Sequence, residues 1–152
     1  MALENDFGAM LPGSGTEIQT VQRRILYKKW ANLIIDTDII AAAAVDSLAT
    51  MGRTTWLPAG LRLGRITASK KLTVYDPSAI DGSATMVGIL WSPVDMIDKA
   101  TMAAVDRIGY VILAGGLVYD AQLIGAGHSG ADSSARSDVA TRIQFAETLG
   151  YV

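Results

Sequence analysis

Hydrophobic and polar positions change their spacing once along this chain, near Trp56. Upstream, the apolar residues favour helical intervals. In TDIIAAAAVDSLATMG (37–52), Ile40, Ala44, Val45, Leu48 and Met51 share one face. Thr37 or Asp38 stands where a cap belongs and Gly52 suits the stop, so the pattern predicts a helix over 37–51. The alanine run favours it too. Between Glu17 and Leu33 two periods compete: Ile18, Val21 and Ile25 follow helical spacing, whereas Leu26, Lys28 and Trp30 alternate. The first half of that stretch is read as helix.

Downstream of Trp56 the spacing moves towards two and turn residues multiply. Strands are predicted at about 61–67, 71–75, 85–91, 108–114 and 117–119. The turn AGG (114–116) separates the last two. The stretch 92–107 opens with Ser92-Pro93-Val94-Asp95, a capping-box pattern, and is read as a helix or a long loop. A final helix is predicted from Asp132 or Ser133, with Val139, Ile143 and Ala146 as its apolar stripe and Gly150 as its end. The expected fold class is therefore mainly β, a β-rich α+β arrangement: a small antiparallel β domain between helical or irregular ends.

Residues 1–16, MALENDFGAMLPGSGT, break the pattern altogether. Leu3, Phe7, Met10 and Leu11 are apolar, but Pro12 and the Gly-Ser-Gly at 13–15 forbid one regular element. The segment is read as a flexible N-terminal arm preceding a single domain over 17–152, ordered only by a partner.

Composition narrows the function. The chain has 152 residues, half of them hydrophobic and only 18% charged, with a mean hydropathy of +0.29. Either the core is generous or apolar surface is reserved for another protein. No apolar run approaches the roughly 20 residues that span a bilayer. The N-terminus lacks the basic start and apolar stretch of a secretion signal. The expectation is a protein made in a cytoplasm, with no membrane partner. A net charge of −2 offers no footprint for nucleic acid. Cysteine is absent and His128 is the single histidine, which removes thiolate chemistry, disulfides and multi-histidine metal sites.

Three stretches still invite a chemical reading. The connection DPSAIDGS (76–83) carries two aspartates and two serines. Counted as a calcium loop from Asp76, it places Ser78 third but Ile80 fifth and Asp81 sixth, where a ligand and a glycine belong. Asp-Pro and Asp-Gly are strong turn formers by backbone geometry, so the stretch is predicted as the turn of a hairpin. GAGHSG (125–130) fits the dinucleotide glycine pattern, but the second strand and its ribose-binding acid do not follow the predicted helix, and Glu147 lies inside that helix. The segment is read as a glycine-serine loop. His128 and Ser129 are sequence neighbours, which orients them poorly for proton transfer, and no third group holds the base. No catalytic set and no cofactor are expected. Trp30, Trp56 and Trp91 are read as core or interface anchors.

From Leu57 to Leu90 the residues resemble a family. Leu57-Pro58-Ala59-Gly60 leads into a strand with a Leu63-Gly64 step. A polar turn at Thr67–Lys70 precedes a strand ending in Tyr75-Asp76, and Asp81-Gly82 leads into Val87-Gly88-Ile89-Leu90. This order is similar to the lambda-type bacteriophage head decoration proteins, also called capsid-stabilising or cement proteins. The run 109–113 and the turn into Leu117-Val118 resemble that family's later strands, so the likeness covers roughly 57–123. It implies a tulip-like β-barrel, a homotrimer, and binding to the major capsid protein on the outer surface of the expanded head, at three-fold and quasi-three-fold sites. It further implies that the arm, through Leu3, Phe7, Met10 and Leu11, contributes to capsid attachment. Two other readings stand beside it: a carbohydrate- or surface-binding module using the tryptophans, and an enzyme using Ser129 and His128.

Overall fold

The computed structural model describes residues 34–47, 55–115, 117–119, 123–125, 128–129 and 133–146. The arm at 1–16, the stretch 17–33 and Trp30 lie outside them.

Five strands close into a barrel in the order β1-β4-β3-β5-β7. They are β1 (Ile34–Ile40), β3 (Arg62–Arg65), β4 (Leu72–Val74), β5 (Met86–Leu90) and β7 (Arg107–Ala114). All but β3, which reads Arg-Leu-Gly-Arg, lie where β-branched and large apolar residues concentrate, as the pleated, half-buried surface of a strand prefers. The longest pairing joins β1 to β7, antiparallel from Ile34↔Ala114 to Ile40↔Arg107. The shortest closes the ring: β1 runs parallel to β4 with the single register pair Ile40↔Leu72.

Two polar links bind that seam. Arg65 on β3 reaches past β4 to pair with Asp38 on β1, and its other guanidinium nitrogen donates to the Lys70 carbonyl at 2.6 Å. Lys71, just before β4, pairs with Asp106, just before β7. Asp106 also accepts the Ala42 N–H at 2.9 Å, and the Ala41 N–H donates to the Leu72 carbonyl at 2.8 Å.

These bonds explain why the predicted helix does not form over 37–41, the described residues at its start; 48–51 lie outside the described residues. The amide hydrogens of Ala41 and Ala42 that would start it are committed to β4 and Asp106. Asp36 and Asp38 accept the N–H groups of Thr37 and Ile39, each at 2.7 Å, instead of capping a helix. Ile34–Ile40 is a strand, and the alanine run retains only a 3-10 helix, Ala42–Ser47.

The stretch 76–83 is not a hairpin turn either. β4 and β5 both pair with β3, on opposite sides, so the connection must cross over β3. Gly64 is where it crosses. A Cβ there would stand 2.8 Å from the Ser83 Cα and closer still to the Ser83 carbonyl.

One extra residue shapes β5. Its register against β3 steps from Gly64↔Met86 to Leu63↔Gly88, a bulge at Val87. Val87 and Leu90 therefore join the cluster inside the barrel, with Ile40, Leu63, Leu72 and Val111. Met86 and Ile89 face outwards into a second cluster with Tyr75, Ile112, Ala135, Val139 and Ile143.

The second cluster is covered by the C-terminal part of the chain. Helix α1 (Ser133–Val139) is shorter than the sequence predicts. After it, β11 (Gln144–Ala146) runs parallel to β8 (Leu117–Tyr119). Ile143 and Phe145 both pack on the cluster, a period of two that suits a strand rather than the helix expected there. Asp138 of α1 accepts the Met86 N–H at 2.7 Å, and the Gly115 N–H donates to the Arg142 carbonyl at 2.7 Å.

No helix forms in 92–107. β6 (Val94–Asp95) pairs with β2 (Trp56–Leu57). Asp95 accepts the Ile97 N–H two residues on, at 3.1 Å, and Asp98 does the same for Ala100, at 2.9 Å. These local turns compete with capping, so of the two readings of 92–107 the loop holds, with a short strand in it.

Two outcomes test this packing. Gly64→Ala forces backbone against backbone and is expected to cost about 1–3 kcal/mol in denaturant unfolding. Gly109→Ala meets mainly the Ile40 Cδ1 methyl, at 2.6 Å, which can rotate away, and is expected to cost clearly less. The Lys71 ammonium, with the Ala42 N–H, holds the Asp106 carboxyl below its ordinary 3.8. A depressed carboxylate stabilises the fold above its unfolded value and loses that contribution as pH falls through its folded value. Asp106→Asn is therefore expected to lower the thermal midpoint near neutrality, with the gap to wild type narrowing below pH ~4, the ordinary aspartate range.

Candidate interaction surface

The residues with chemical potential in the sequence are dispersed. In the 76–83 connection both aspartates act on their own loop. Asp76 accepts the Ser78 N–H at 2.8 Å and its hydroxyl at 2.6 Å, and Asp81 accepts the Ser83 N–H at 2.9 Å and its hydroxyl at 2.6 Å. These carboxylates shape the backbone. The Ser83 hydroxyl, then its N–H, hold the Asp81 carboxyl below 3.8. Among the described residues, no group of three or more His, Cys, Asp or Glu could hold a metal ion.

The glycine motif at 125–130 folds back on itself. β9 (Ile124–Gly125) pairs antiparallel with β10 (His128–Ser129). A dinucleotide site needs the motif to run from a strand straight into a helix start, and here it makes a hairpin, with α1 beginning only at Ser133. Trp56 and Trp91 are half-buried. Trp91 packs against the outer cluster, and its backbone N–H donates to the Tyr110 carbonyl at 2.8 Å.

Arg62 is buried in the barrel wall, its guanidinium carbon 5.3 Å from the centre of the Tyr75 ring. That distance places the cation over the electron-rich face. Sequence reading gave Arg62 no role, because an arginine inside a strand ordinarily points to water.

What the structure does bring together is apolar surface. On β7, Gly109 and Val111 point into the barrel, so Ile108, Tyr110 and Ile112 point out. Ile112 is covered by the C-terminal segment, whereas Ile108 and Tyr110 are 69% and 56% exposed. Across the pairing, Ile39 sits opposite Ile108 and Thr37 opposite Tyr110. Ile39 is 44% exposed, and Ile34, opposite Ala114, is 55% exposed. The outer wall of β1 and β7, with Thr37, Ile39, Ile108 and Tyr110, is thus an uncharged and largely apolar patch on the longest strand pair of the barrel, whereas Ile34 alternates to the other face of β1. Two loop tips add exposed apolar groups: Ile80, fully exposed, and Met102, whose φ of 55° is unusual for a residue with a side chain. The run IGYVIL hints at the patch, being apolar on both faces, but its β1 half was hidden by the helical reading of 37–51. Leu3, Phe7, Met10 and Leu11 lie outside the described residues.

No helix among the described residues is long and apolar enough to cross a membrane. No single curated protein matches the chain. A family model described as bacteriophage lambda head decoration protein D matches residues 25–124. That span contains every barrel strand, β1 included, and extends the likeness from the 57–123 block in both directions. It ends at Ile124, before β10, α1 and β11. With about two-thirds of the sequence matched and the whole barrel inside the match, the chain belongs to the bacteriophage lambda head decoration protein D family.

Proposed function

We propose that the protein is a trimeric head decoration protein, which binds the outer surface of the expanded phage capsid at three-fold and quasi-three-fold positions and stabilises it. The observation that carries this reading is the family match across the complete barrel. Membership implies a structural role in a phage capsid; the trimer, the sites and the stabilising effect are our reading.

Physical features support it. The chain is sparing with charge, and the uncharged wall of Ile39, Ile108 and Tyr110 has the composition of an interface centre, where aromatic residues are enriched and charge is depleted. The wall is carried on paired backbone, so little entropy is lost when it docks. The net charge of −2 favours a protein partner, the major capsid protein, over nucleic acid.

The arm, with Leu3, Phe7, Met10 and Leu11, is proposed to add a second attachment. Fixing its backbone costs about 1–2 kcal/mol per residue, which makes one arm a weak ligand. Three arms on one trimer raise the effective concentration of each, a physical reason for a decoration protein to be trimeric.

Light scattering on the purified chain is expected to give a trimer, and the trimer is expected to pellet with expanded empty heads. A stable monomer that ignores heads overturns the reading. Deleting residues 1–16 is expected to lower occupancy on heads while leaving the barrel folded; unchanged occupancy removes the arm from attachment. Ile108→Glu alters an exposed position, where stability effects stay within about 0.5 kcal/mol. It is expected to weaken trimer formation or head binding without shifting the unfolding midpoint by more than that allows.

A further inference from the structure

Asp81-Gly82 is the single Asp-Gly pair in the sequence, and the fold leaves little freedom to replace either residue. Gly82 has a φ of 104°, and a Cβ there would stand 2.9 Å from the Arg65 carbonyl and press on the Thr67 hydroxyl. Only glycine fits. Asp81 holds the crossing loop together: its side chain takes the Ser83 N–H and hydroxyl, while its own carbonyl accepts the Thr67 N–H at 2.8 Å. Asp81 is exposed to water and Ser83 is buried.

Asp-Gly is also the dipeptide in which the following backbone amide most readily attacks the aspartate side chain, because glycine neither shields its amide nor restricts its rotation. We infer that Asp81-Gly82 is a built-in site of aspartate isomerisation, and that the Ser83 clamp on the Asp81 carboxylate keeps it closed.

The chemistry balances without an oxidant or co-reactant. In the protonated acid the Gly82 amide nitrogen attacks the Asp81 Cγ, a C–N bond forms, the Cγ–OH bond breaks, and the hydroxyl leaves as water with the amide proton. The resulting cyclic imide then takes up a water. Opening at Cγ restores aspartate. Opening at the Asp81 main-chain carbonyl carbon gives isoaspartate, in which the chain runs through Cγ and is one methylene longer.

Three features of the site oppose the first step. Both Ser83 donors grip the same oxygen, Oδ1, at 2.9 and 2.6 Å, which fixes the plane of the carboxyl group against the turn that attack requires. The same donors favour the ionised form, a poor electrophile with no hydroxyl to lose. The bond from Thr67 to the Asp81 carbonyl limits rotation of the Asp81-Gly82 peptide. Isomerisation would reverse this arrangement, because the Asp81 carbonyl would leave the main chain and Thr67 would lose its acceptor. Ser83 lies against Gly64, so the loop would loosen where it crosses β3.

The test is ageing of the full chain at mildly acidic pH, with isoaspartate at position 81 measured by peptide mass spectrometry and by isoaspartyl methyltransferase labelling. The folded wild type is expected to be slowest, the wild type unfolded in urea fastest, and folded Ser83→Ala several-fold faster than folded wild type. Ser83→Cys, close in size but a weak donor, is expected to fall between wild type and Ser83→Ala and carries the test if the alanine variant does not fold. Equal rates in the folded and unfolded wild type overturn the inference. So does a folded Ser83 variant that ages no faster than wild type.

Discussion

Closure of the barrel rests on its shortest contact. Strand β1 meets β4 at one register pair, Ile40↔Leu72, extended by the Ala41 N–H on the Leu72 carbonyl. Without it, β1 would hang from β7 alone and the inner cluster around Ile40 would open to water. Closing a sheet removes its exposed edges, but it needs the last strand to be held at a fixed angle and register. The two ion pairs supply that hold, Arg65 with Asp38 on one side of the seam and Lys71 with Asp106 on the other. Exposed pairs of this kind contribute little energy one by one. Here their geometry matters more than their strength: the first ties β1 to β3 across β4, and the second ties the start of β4 to the start of β7, the two strands that flank β1.

That seam is also where sequence reasoning failed. The five later strands were legible because turn residues bracket them and their periods are short. The helix predicted from Thr37 gave way to a strand up to Ile40, although alanine favours helix, because Ala41 and Ala42 give their amide hydrogens to partners far along the chain. Propensity is local and those partners are not. The same limit applies to 76–83. Its turn chemistry was read correctly from Asp-Pro and Asp-Gly, but which strands it joins depends on β3 lying between them, and nothing in the eight residues records that. The C-terminal helix was half right: Val139 and Ile143 are buried as expected, but the helix ends at Val139 and a strand begins at Gln144. The exposed wall could be inferred only once β1 was a strand.

The family match and the structure divide the chain at nearly the same place. The barrel belongs to the matched span, and α1 with β11 lies beyond it. This later part is firmly attached. Ala135, Val139 and Ile143 fill the outer cluster, and Asp138 satisfies the Met86 amide beside the bulge in β5. Covering Ile112 while leaving Ile108 and Tyr110 bare, it also sets one border of the apolar wall.

The bulge at Val87 has a mechanical meaning. It shifts the phase of alternation along β5, so that Val87 and Leu90 face one core and Met86 and Ile89 the other; with Val111 and Ile112 alternating likewise, β5 and β7 form a partition between two cores. A partition loaded from both sides cannot yield to one of them alone: swelling of the inner core must push on the outer, and peeling away the C-terminal segment must slacken the barrel. The two cores therefore share one wall, and a substitution in β5 or β7 acts on both.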